Sequence, residues 1–191
     1  KILTSCDGAT WNERNAGTPI ILVGVTYGNG TFVTAGRNGT ILTQPDRTSW
    51  TERTSGISDH LSGVTYGKGF FVVVGSSGTL LTSFDGTFWT QRGSGTSEYL
   101  YGVTYGNSIF VVVGSGGKIL TSSDGTTWTE RNAGTPIILV GVTYGNGLFV
   151  TVGWNGTILT SPDGTSWTER TSGISDHLSG VTYGKGFFVV V

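Results

Sequence analysis

The feature that most constrains the fold of this 191-residue chain is an internal repeat of 39 residues, which recurs without insertion or deletion. Five copies of the phrase Gly-Val-Thr-Tyr-Gly mark it, beginning at Gly24, Gly63, Gly102, Gly141 and Gly180. A repeat of this length is one supersecondary unit that cannot bury its apolar face without neighbours. The sequence therefore predicts five similar units in contact with each other rather than one irregular core.

Each repeat contains four short apolar runs separated by glycine-rich turns. In the repeat 63–101 these runs are Val64–Tyr66, Phe70–Val74, Thr79–Thr82 and Phe88–Arg92, which we name strands a, b, c and d. Four strands in about 40 residues is the pattern of a propeller blade. A linear β-solenoid is the alternative, but it uses shorter repeats and parallel strands. We therefore predict an all-β, five-bladed β-propeller with four antiparallel strands in each blade.

The repeat boundaries also predict how the ring closes within one domain, 1–191. Four blades are expected at 24–62, 63–101, 102–140 and 141–179, and a composite fifth blade from 180–191 together with 1–23. Strands a and b of that blade come from the C-terminal end of the chain, and strands c and d from the N-terminal end. Pairing of these strands would remove an exposed sheet edge. It would also place Lys1 and Val191 within about 15 Å, the reach of a four-residue turn.

A second period of three repeats lies on top of the first. Residues 1–74 and 118–191 differ at only 8 of 74 positions. Such similarity indicates recent amplification or deliberate construction. It supports an alternative hypothesis, in which the protein is a structural repeat protein without a dedicated ligand.

Composition excludes several classes of function. Only 12% of the residues are charged and the net charge is −1, so the clustered cations of a nucleic-acid interface are missing. The longest apolar runs, such as Phe70–Val74, are far shorter than the roughly 20 residues of a membrane-spanning helix. A single cysteine, Cys6, excludes an internal disulfide. We expect no cofactor, no metal and no membrane insertion, and an extracellular or cell-surface location.

The turn between strands c and d carries a motif. It reads Thr-Ser-Cys-Asp-Gly-Ala-Thr-Trp at residues 4–11 and Thr-Ser-Ser-Asp-Gly-Thr-Thr-Trp at residues 121–128. This phrase resembles the Asp-box of sialidase-type propellers, although it is one residue shorter, and Gln44 and Arg47 depart from it in one copy. The resemblance implies a structural turn in which the Asp accepts backbone N–H groups and the Trp packs between blades. The residues concerned are Asp7, Asp46, Asp85, Asp124 and Asp163, with Trp11, Trp50, Trp89, Trp128 and Trp167.

The same resemblance raises a third hypothesis, a sialidase-like glycoside hydrolase. Sialidases use an arginine cluster that grips a carboxylate, a Tyr nucleophile paired with a Glu, and an Asp acid. Here one arginine recurs in strand d of each blade, at Arg14, Arg53, Arg92, Arg131 and Arg170. A role in the framework, in which these arginines pair with Glu13, Glu52, Glu130 and Glu169, fits this spacing better than a cluster does. We therefore predict no catalytic residues and no enzymatic activity.

Chemical variation between the repeats is concentrated in the b–c turns and the d–a loops, which lie on one face of a propeller. The candidate ligand-binding residues there are Arg37, Asp59, His60, Glu98, Tyr99, Tyr101, Trp154, Asp176 and His177. Adjacent residues of an extended segment point in opposite directions, so Asp59 and His60 are not expected to form one metal site or dyad. The opposite face, with the a–b and c–d turns, is nearly uniform. The leading hypothesis is a non-enzymatic propeller that presents this variable face to a glycan or protein partner, with the oligomeric state left open.

Overall fold

The computed structural model describes residues 1–46 and 49–191, and within them it contains 20 β-strands. Four complete blades are antiparallel four-stranded sheets in the order a, b, c, d. Blade 1 comprises β3 (Leu22–Gly28), β4 (Thr31–Gly36), β5 (Ile41–Gln44) and β6 (Thr51–Arg53). Blade 2 comprises β7 (Leu61–Gly67), β8 (Phe70–Gly75), β9 (Leu80–Ser83) and β10 (Thr90–Gln91). Blade 3 comprises β11 (Leu100–Gly106), β12 (Ile109–Gly114), β13 (Ile119–Ser122) and β14 (Thr129–Arg131). Blade 4 comprises β15 (Leu139–Gly145), β16 (Leu148–Gly153), β17 (Ile158–Ser161) and β18 (Thr168–Arg170).

Turn chemistry sets the limits of these strands. The b–c connections are single 3₁₀ turns at Arg37–Gly39, Ser76–Gly78, Ser115–Gly117 and Trp154–Gly156. In blade 1 this turn needs two successive residues with positive φ, Asn38 at 56° and Gly39 at 66°. Asn and Gly tolerate that conformation best among the amino acids.

None of the helices in residues 1–46 and 49–191 is long and apolar enough to cross a membrane.

The apolar cores lie between blades rather than within them. One cluster joins Val33, Ala35 and Ile41 of blade 1 to Leu61, Phe71, Val73 and Leu81 of blade 2. Equivalent clusters join blade 2 to blade 3 and blade 3 to blade 4. Each blade is therefore stabilised chiefly by burial against its neighbours, as expected of a repeat that cannot form a core alone.

A tyrosine also packs against a glycine at each boundary between blades. The Tyr66 ring lies over Gly28 so closely that a Cβ at Gly28 would collide with it. The same contact joins Tyr105 to Gly67, Tyr144 to Gly106, and Tyr183 to Gly145. The strand-a tyrosines are thus packing residues, and the glycines that receive them can carry no side chain without a shift of the ring.

The two ends of the chain form two-stranded sheets instead of one composite blade. Strand β1 (Ile2–Thr4) pairs with β2 (Asn12–Arg14), and β19 (Val181–Gly184) pairs with β20 (Phe187–Val190). Within the described residues, no pairing joins β1 to β20, and Val191 is 75% exposed. The structure therefore contains strands for five blades, but the predicted pairing that closes the ring is not formed. In the four complete blades a covalent b–c turn holds the paired strands together, and no such link connects β20 to β1.

Candidate functional site

The b–c turns and the d–a loops form one continuous surface, which we call the loop face. The backbone N–H of Arg37 donates to the carbonyl of Ile21 (3.0 Å), and that of Gly39 donates to the carbonyl of Asp59 (2.7 Å). The b–c turn of blade 1 is therefore held between the loop before its blade and the loop after it. Blades 2, 3 and 4 repeat the first contact, through Ser76, Ser115 and Trp154. The structure thus brings the predicted candidate residues onto a single face.

Trp154 and His177 form an exposed stacked pair on this face. Their ring centroids are 4.6 Å apart with an interplanar angle of 14°, and Trp154 is 43% exposed. The backbone N–H of Asn155 donates to Nδ1 of His177 (3.3 Å), which fixes the imidazole beside the turn. The neighbouring Asp176 side chain is exposed. One aromatic surface and one carboxylate are therefore offered to solvent at the same loop.

Asp59 and His60 interact with different turns, as their adjacency on an extended segment predicts. The Asp59 carboxylate accepts from Oγ1 of Thr79 at 3.1 Å and from Oγ of Ser76 at 3.5 Å. His60 Nδ1 instead accepts from the backbone N–H of Asn38 in the preceding turn, at 3.5 Å. Asp59 thus supports the fold at this position, while His60 is exposed. Among residues 1–46 and 49–191, no cluster of three His, Cys, Asp or Glu residues could hold a metal ion.

A second stacked pair lies between blades 2 and 3. The rings of Tyr99 and Tyr101 are 4.5 Å apart with an interplanar angle of 17°. Burial raises the pKa of the Tyr99 hydroxyl, and the neighbouring Tyr101 adds to that rise while Arg37 opposes it. Glu98, the residue before Tyr99, is exposed. Tyr99 and Tyr101 are both half-buried, so the pair packs partly against the protein and remains partly accessible to a ligand.

The Asp-containing c–d turns are closed by local hydrogen bonds. In the first turn, Oδ1 of Asp7 accepts from the backbone N–H groups of Ala9 (2.9 Å) and Thr10 (2.8 Å). Oγ of Ser5 accepts from the N–H of Gly8, and Nε1 of Trp11 donates to the carbonyl of Gly8. The hydrogen bond from the Thr10 N–H, followed by those from the Ala9 N–H and the Ser5 hydroxyl, lowers the pKa of Asp7 to about 2.

The other Asp turns follow the same plan. The pKa of Asp124 is lowered mainly by the Thr127 N–H, and that of Asp163 mainly by the Thr165 hydroxyl. At Asp85, burial raises the pKa, but hydrogen bonds from Thr87, Phe88 and Ser83 outweigh it and the pKa is lowered. In the second turn the Ser49 N–H donates to Oδ1 of Asp46 at 3.3 Å, while Arg47 lies outside the described residues.

The strand-d arginines are part of the framework, but their partners are not the glutamates that the sequence suggested. In every blade the arginine Nε donates to a strand-c threonine at 2.8 to 2.9 Å, for example Arg14 to Thr4 and Arg131 to Thr121. Glu130 instead pairs with Lys118 at 2.6 Å. Adjacent residues of a strand point to opposite faces, so an arginine and the glutamate before it cannot share one side of the sheet.

The face with the a–b and c–d turns carries a pocket that was not predicted from the sequence. Phe84 and Phe88 are 72% and 79% exposed, and with Phe70 they line a pocket of about 220 Å³ near the Asp124 turn. The sequence does contain evidence for this pocket, because the four other repeats have Ser or Thr at the position of Phe88. The interpretation of that face as nearly uniform was therefore incomplete.

Similar solved structures share the fold. The structure of YCF48 bound to a D1 peptide is 17% identical, with a TM-score of 0.71 over 90% of this chain and 60% of the other. YCF48 from Cyanidioschyzon merolae is also 17% identical, with a TM-score of 0.67 over 88% and 62%. The WD40 β-propeller domain of Doa1 is 13% identical, with a TM-score of 0.68 over 90% and 62%. The chain thus spans about 60% of the length of these structures.

A search of curated proteins found no significant match. A family model described as the DUF6242 beta propeller domain matches residues 25–138, which is more than half of the chain and includes blades 2 and 3 and nearly all of blade 1. This match agrees with the four-stranded antiparallel sheets and with the propeller folds above. The chain belongs to the DUF6242 β-propeller domain family.

Proposed function

We propose that the protein is a non-enzymatic, protein-binding propeller whose loop face takes a basic segment of a partner. The observation that carries the proposal is the exposed Trp154–His177 stack, with Asp176 exposed in the same loop. A large exposed aromatic ring in a rigid turn is the residue type that dominates binding energy at interfaces. Arginine stacks favourably on the face of a tryptophan, and an exposed carboxylate in the same loop attracts cations.

The charge of the loop face supports a basic partner. Its candidate residues include three acids, Asp59, Glu98 and Asp176, and one arginine, Arg37, which gives a net charge of −2 with neutral histidines. The whole chain has a net charge of only −1. The negative charge of the candidates is thus larger than that of the molecule, and it would steer a cationic segment toward this face.

The fold itself favours a protein partner. A propeller offers a constant frame with loops that vary in side chain, and function resides disproportionately in such loops. YCF48, which has a similar fold, has been solved with a bound D1 peptide. The half-buried Tyr99–Tyr101 pair would supply a second contact, since tyrosines present large rigid surfaces at little entropic cost.

The test replaces loop-face residues with the residues that other repeats carry at the same positions. One variant combines Trp154→Ser, Tyr99→His and Tyr101→Ser, which are the residues found at Ser76, His60 and Ser62. A control variant, Phe84→Ser with Phe88→Thr, changes the opposite face in the same manner. All of these substitutions already occur within the chain, so thermal unfolding should stay close to that of the wild type.

The probe is a library of random 12-residue peptides displayed on phage and selected on the wild-type chain. We expect selected peptides to be rich in arginine and lysine, to bind less tightly at higher salt, and to lose at least about tenfold in affinity on the loop-face variant. The control variant should bind them as the wild type does. Peptides that bind both variants equally, or failure of selection on the wild type, would contradict the proposal.

Glycan binding and hydrolysis are the competing functions. A glycan array probed with the same variants should be silent; a signal that disappears with Trp154→Ser would identify a lectin instead. The absence of activity is also part of the proposal, and it is supported by the Arg–Thr hydrogen bonds that keep one arginine in each blade. No turnover of a fluorogenic sialoside is expected.

Two finer features are proposed together with this function. The c–d turns are proposed to be Asp-boxes, because their Asp, Ser and Trp side chains are used in closing the turn. An extracellular or cell-surface location is proposed from the low charge of the chain.

A further inference from the structure

Two surfaces of the molecule, around Tyr27 and around Gly184, are complementary but are not in contact within the chain. Tyr27 occupies the position of the four tyrosines that pack on the glycine of the preceding blade, yet it is 57% exposed. Gly184 occupies the position of the four glycines that receive them, and a Cβ placed there would meet nothing within 4 Å. Val25 and Gly180 repeat the arrangement, because the equivalent Val64 lies against Gly24, while Val25 is exposed. One complete boundary between blades is therefore present as two separate halves.

The sheet edges are complementary in the same way. Strand β20 is a b strand with a free edge, and strand β1 is a c strand with the sequence Ile-Leu-Thr. In blade 3 the b and c strands pair in the register Phe110↔Ser122, Val111↔Thr121, Val112↔Leu120 and Val113↔Ile119. Transfer of that register through the repeat gives Phe188↔Ser5, Val189↔Thr4, Val190↔Leu3 and Val191↔Ile2.

Both contacts belong to one boundary, with β1 and Tyr27 on one side and β20 and Gly184 on the other, and the two sides are unpaired within the described part of the chain. We propose that two copies of this chain associate head to tail, with β1 of one copy completing the sheet that ends at β20 of its neighbour. Tyr27 of the first copy then packs on Gly184 of the neighbour. The association uses the same strand addition and ring-on-glycine contact that join the blades within the chain. An interface with two different halves produces rings or open filaments, depending on the rotation between copies.

A second copy is the favoured occupant because the chain itself carries both halves. Leu3, Phe187 and Val191 are exposed, whereas the equivalent Leu42, Phe70 and Val74 are buried between strands and blades. Exposed apolar surface on an unpaired edge strand favours association. The proposal does not depend on what the loop face binds.

Sedimentation velocity of the 191-residue chain over a wide concentration range is the first test. We expect species at multiples of 20.0 kDa whose population grows with concentration. Gly184→Val should abolish them, because the new side chain occupies the position of the Tyr27 ring, while in the isolated chain a Cβ there meets nothing within 4 Å. Leu3→Asp should act in the same way from the other half. Phe84→Ser, at an exposed residue outside the interface, is the matched control and should associate like the wild type.

Disulfide trapping separates association from closure of the ring within one chain. Val25→Cys and Gly180→Cys are introduced together with Cys6→Ser, which removes the exposed native thiol. At the equivalent boundary a Cβ on Gly24 would lie 3.2 Å from Cγ1 of Val64, so a bridge is within reach. A ladder of covalent oligomers on a non-reducing gel is expected. A linked monomer, or a chain that stays at 20.0 kDa at every concentration, would overturn the proposal.

Discussion

Strands β1 and β13 have the same sequence over five residues, Lys-Ile-Leu-Thr-Ser, and opposite environments. Leu120 in β13 is 1% exposed, while Leu3 in β1 is 55% exposed. The difference is the strand beside each of them, because β13 lies between β12 and β14 whereas β1 pairs only with β2. Intrinsic strand propensity is therefore identical in the two places, and the neighbouring strand decides how much apolar surface is buried.

The c–d turns that follow these two strands do not share this contrast. Oδ1 of Asp7 accepts from the Thr10 N–H at 2.8 Å, and Oδ1 of Asp124 accepts from the Thr127 N–H at the same distance. The turn depends on residues two or three positions apart, so it forms wherever its sequence occurs. The chain ends therefore form the local interactions of the fold, such as the Asp turns, but not the interactions between neighbouring strands and blades.

Truncation of the leucine in strand c should give the largest difference between the two regions. Leu120→Ala is expected to lower the free energy of unfolding by about 3–4 kcal/mol, because it leaves a cavity in a packed core. Leu3→Ala should lower it by less than about 0.5 kcal/mol, as is usual for an exposed position. Denaturant unfolding of dilute protein checks both values, and equal losses would show that β1 is as buried as β13.

The next difference concerns the glycines under the tyrosine rings. Gly106→Ala should cost about 2–3 kcal/mol, since the new methyl group collides with Tyr144. Gly184→Ala places its methyl group in open space and should leave the stability of the dilute chain unchanged. Thermal unfolding of the two variants measures the contrast. A similar loss in both would mean that Gly184 already receives a ring within the chain.

A smaller effect is expected at the one irregular c–d turn. Nε2 of Gln44 and Nε1 of Trp50 are buried and have no hydrogen-bond partner among residues 1–46 and 49–191, whereas Ser161 in the matching turn accepts from the N–H of Gly164. Gln44→Ser should therefore stabilise the protein by about 1 kcal/mol, because it removes an unsatisfied buried amide. The reciprocal change, Ser161→Gln, should destabilise it by a similar amount. A neutral Gln44→Ser would show that the amide is satisfied in solution.

Titration of the Asp turns should show the smallest difference between the regions, because these turns are local. The pKa of Asp7 is about 2 in the fold against an ordinary 3.8, so this carboxylate adds stability above pH 3.8 that is lost as the pH falls through 2. The pKa of Asp124 is lowered in the same direction. Carboxyl carbon chemical shifts followed by NMR report both groups. Asp7 titrating near 3.8 beside a lowered Asp124 would show that the turn needs its neighbouring blades.

Local features of this fold could be predicted from the sequence, whereas contacts between distant segments could not. Strand positions and turns follow from residues close in the chain, so the runs of repeat 63–101 predicted β8 to within one residue at either end. The pairing of β1 with β20 was predicted from the repeat boundaries and is not formed, because it depends on contacts between the two ends of the chain rather than on residues close in sequence. The repeat comparison found Trp154 as a candidate, but only the structure shows that His177 stacks on it.

Hydrogen exchange of the two Lys-Ile-Leu-Thr-Ser segments tests the central claim most directly. Proteolytic fragments of residues 1–7 and 118–124 differ in mass because Cys6 stands where the second segment has Ser123. In dilute protein we predict strong protection of Ile119–Thr121 and exchange of Ile2–Thr4 faster by orders of magnitude, with protection of Ile2–Thr4 rising as the concentration increases. Equal protection of the two segments at every concentration would contradict the account, because it would mean that the chain closes its own ring.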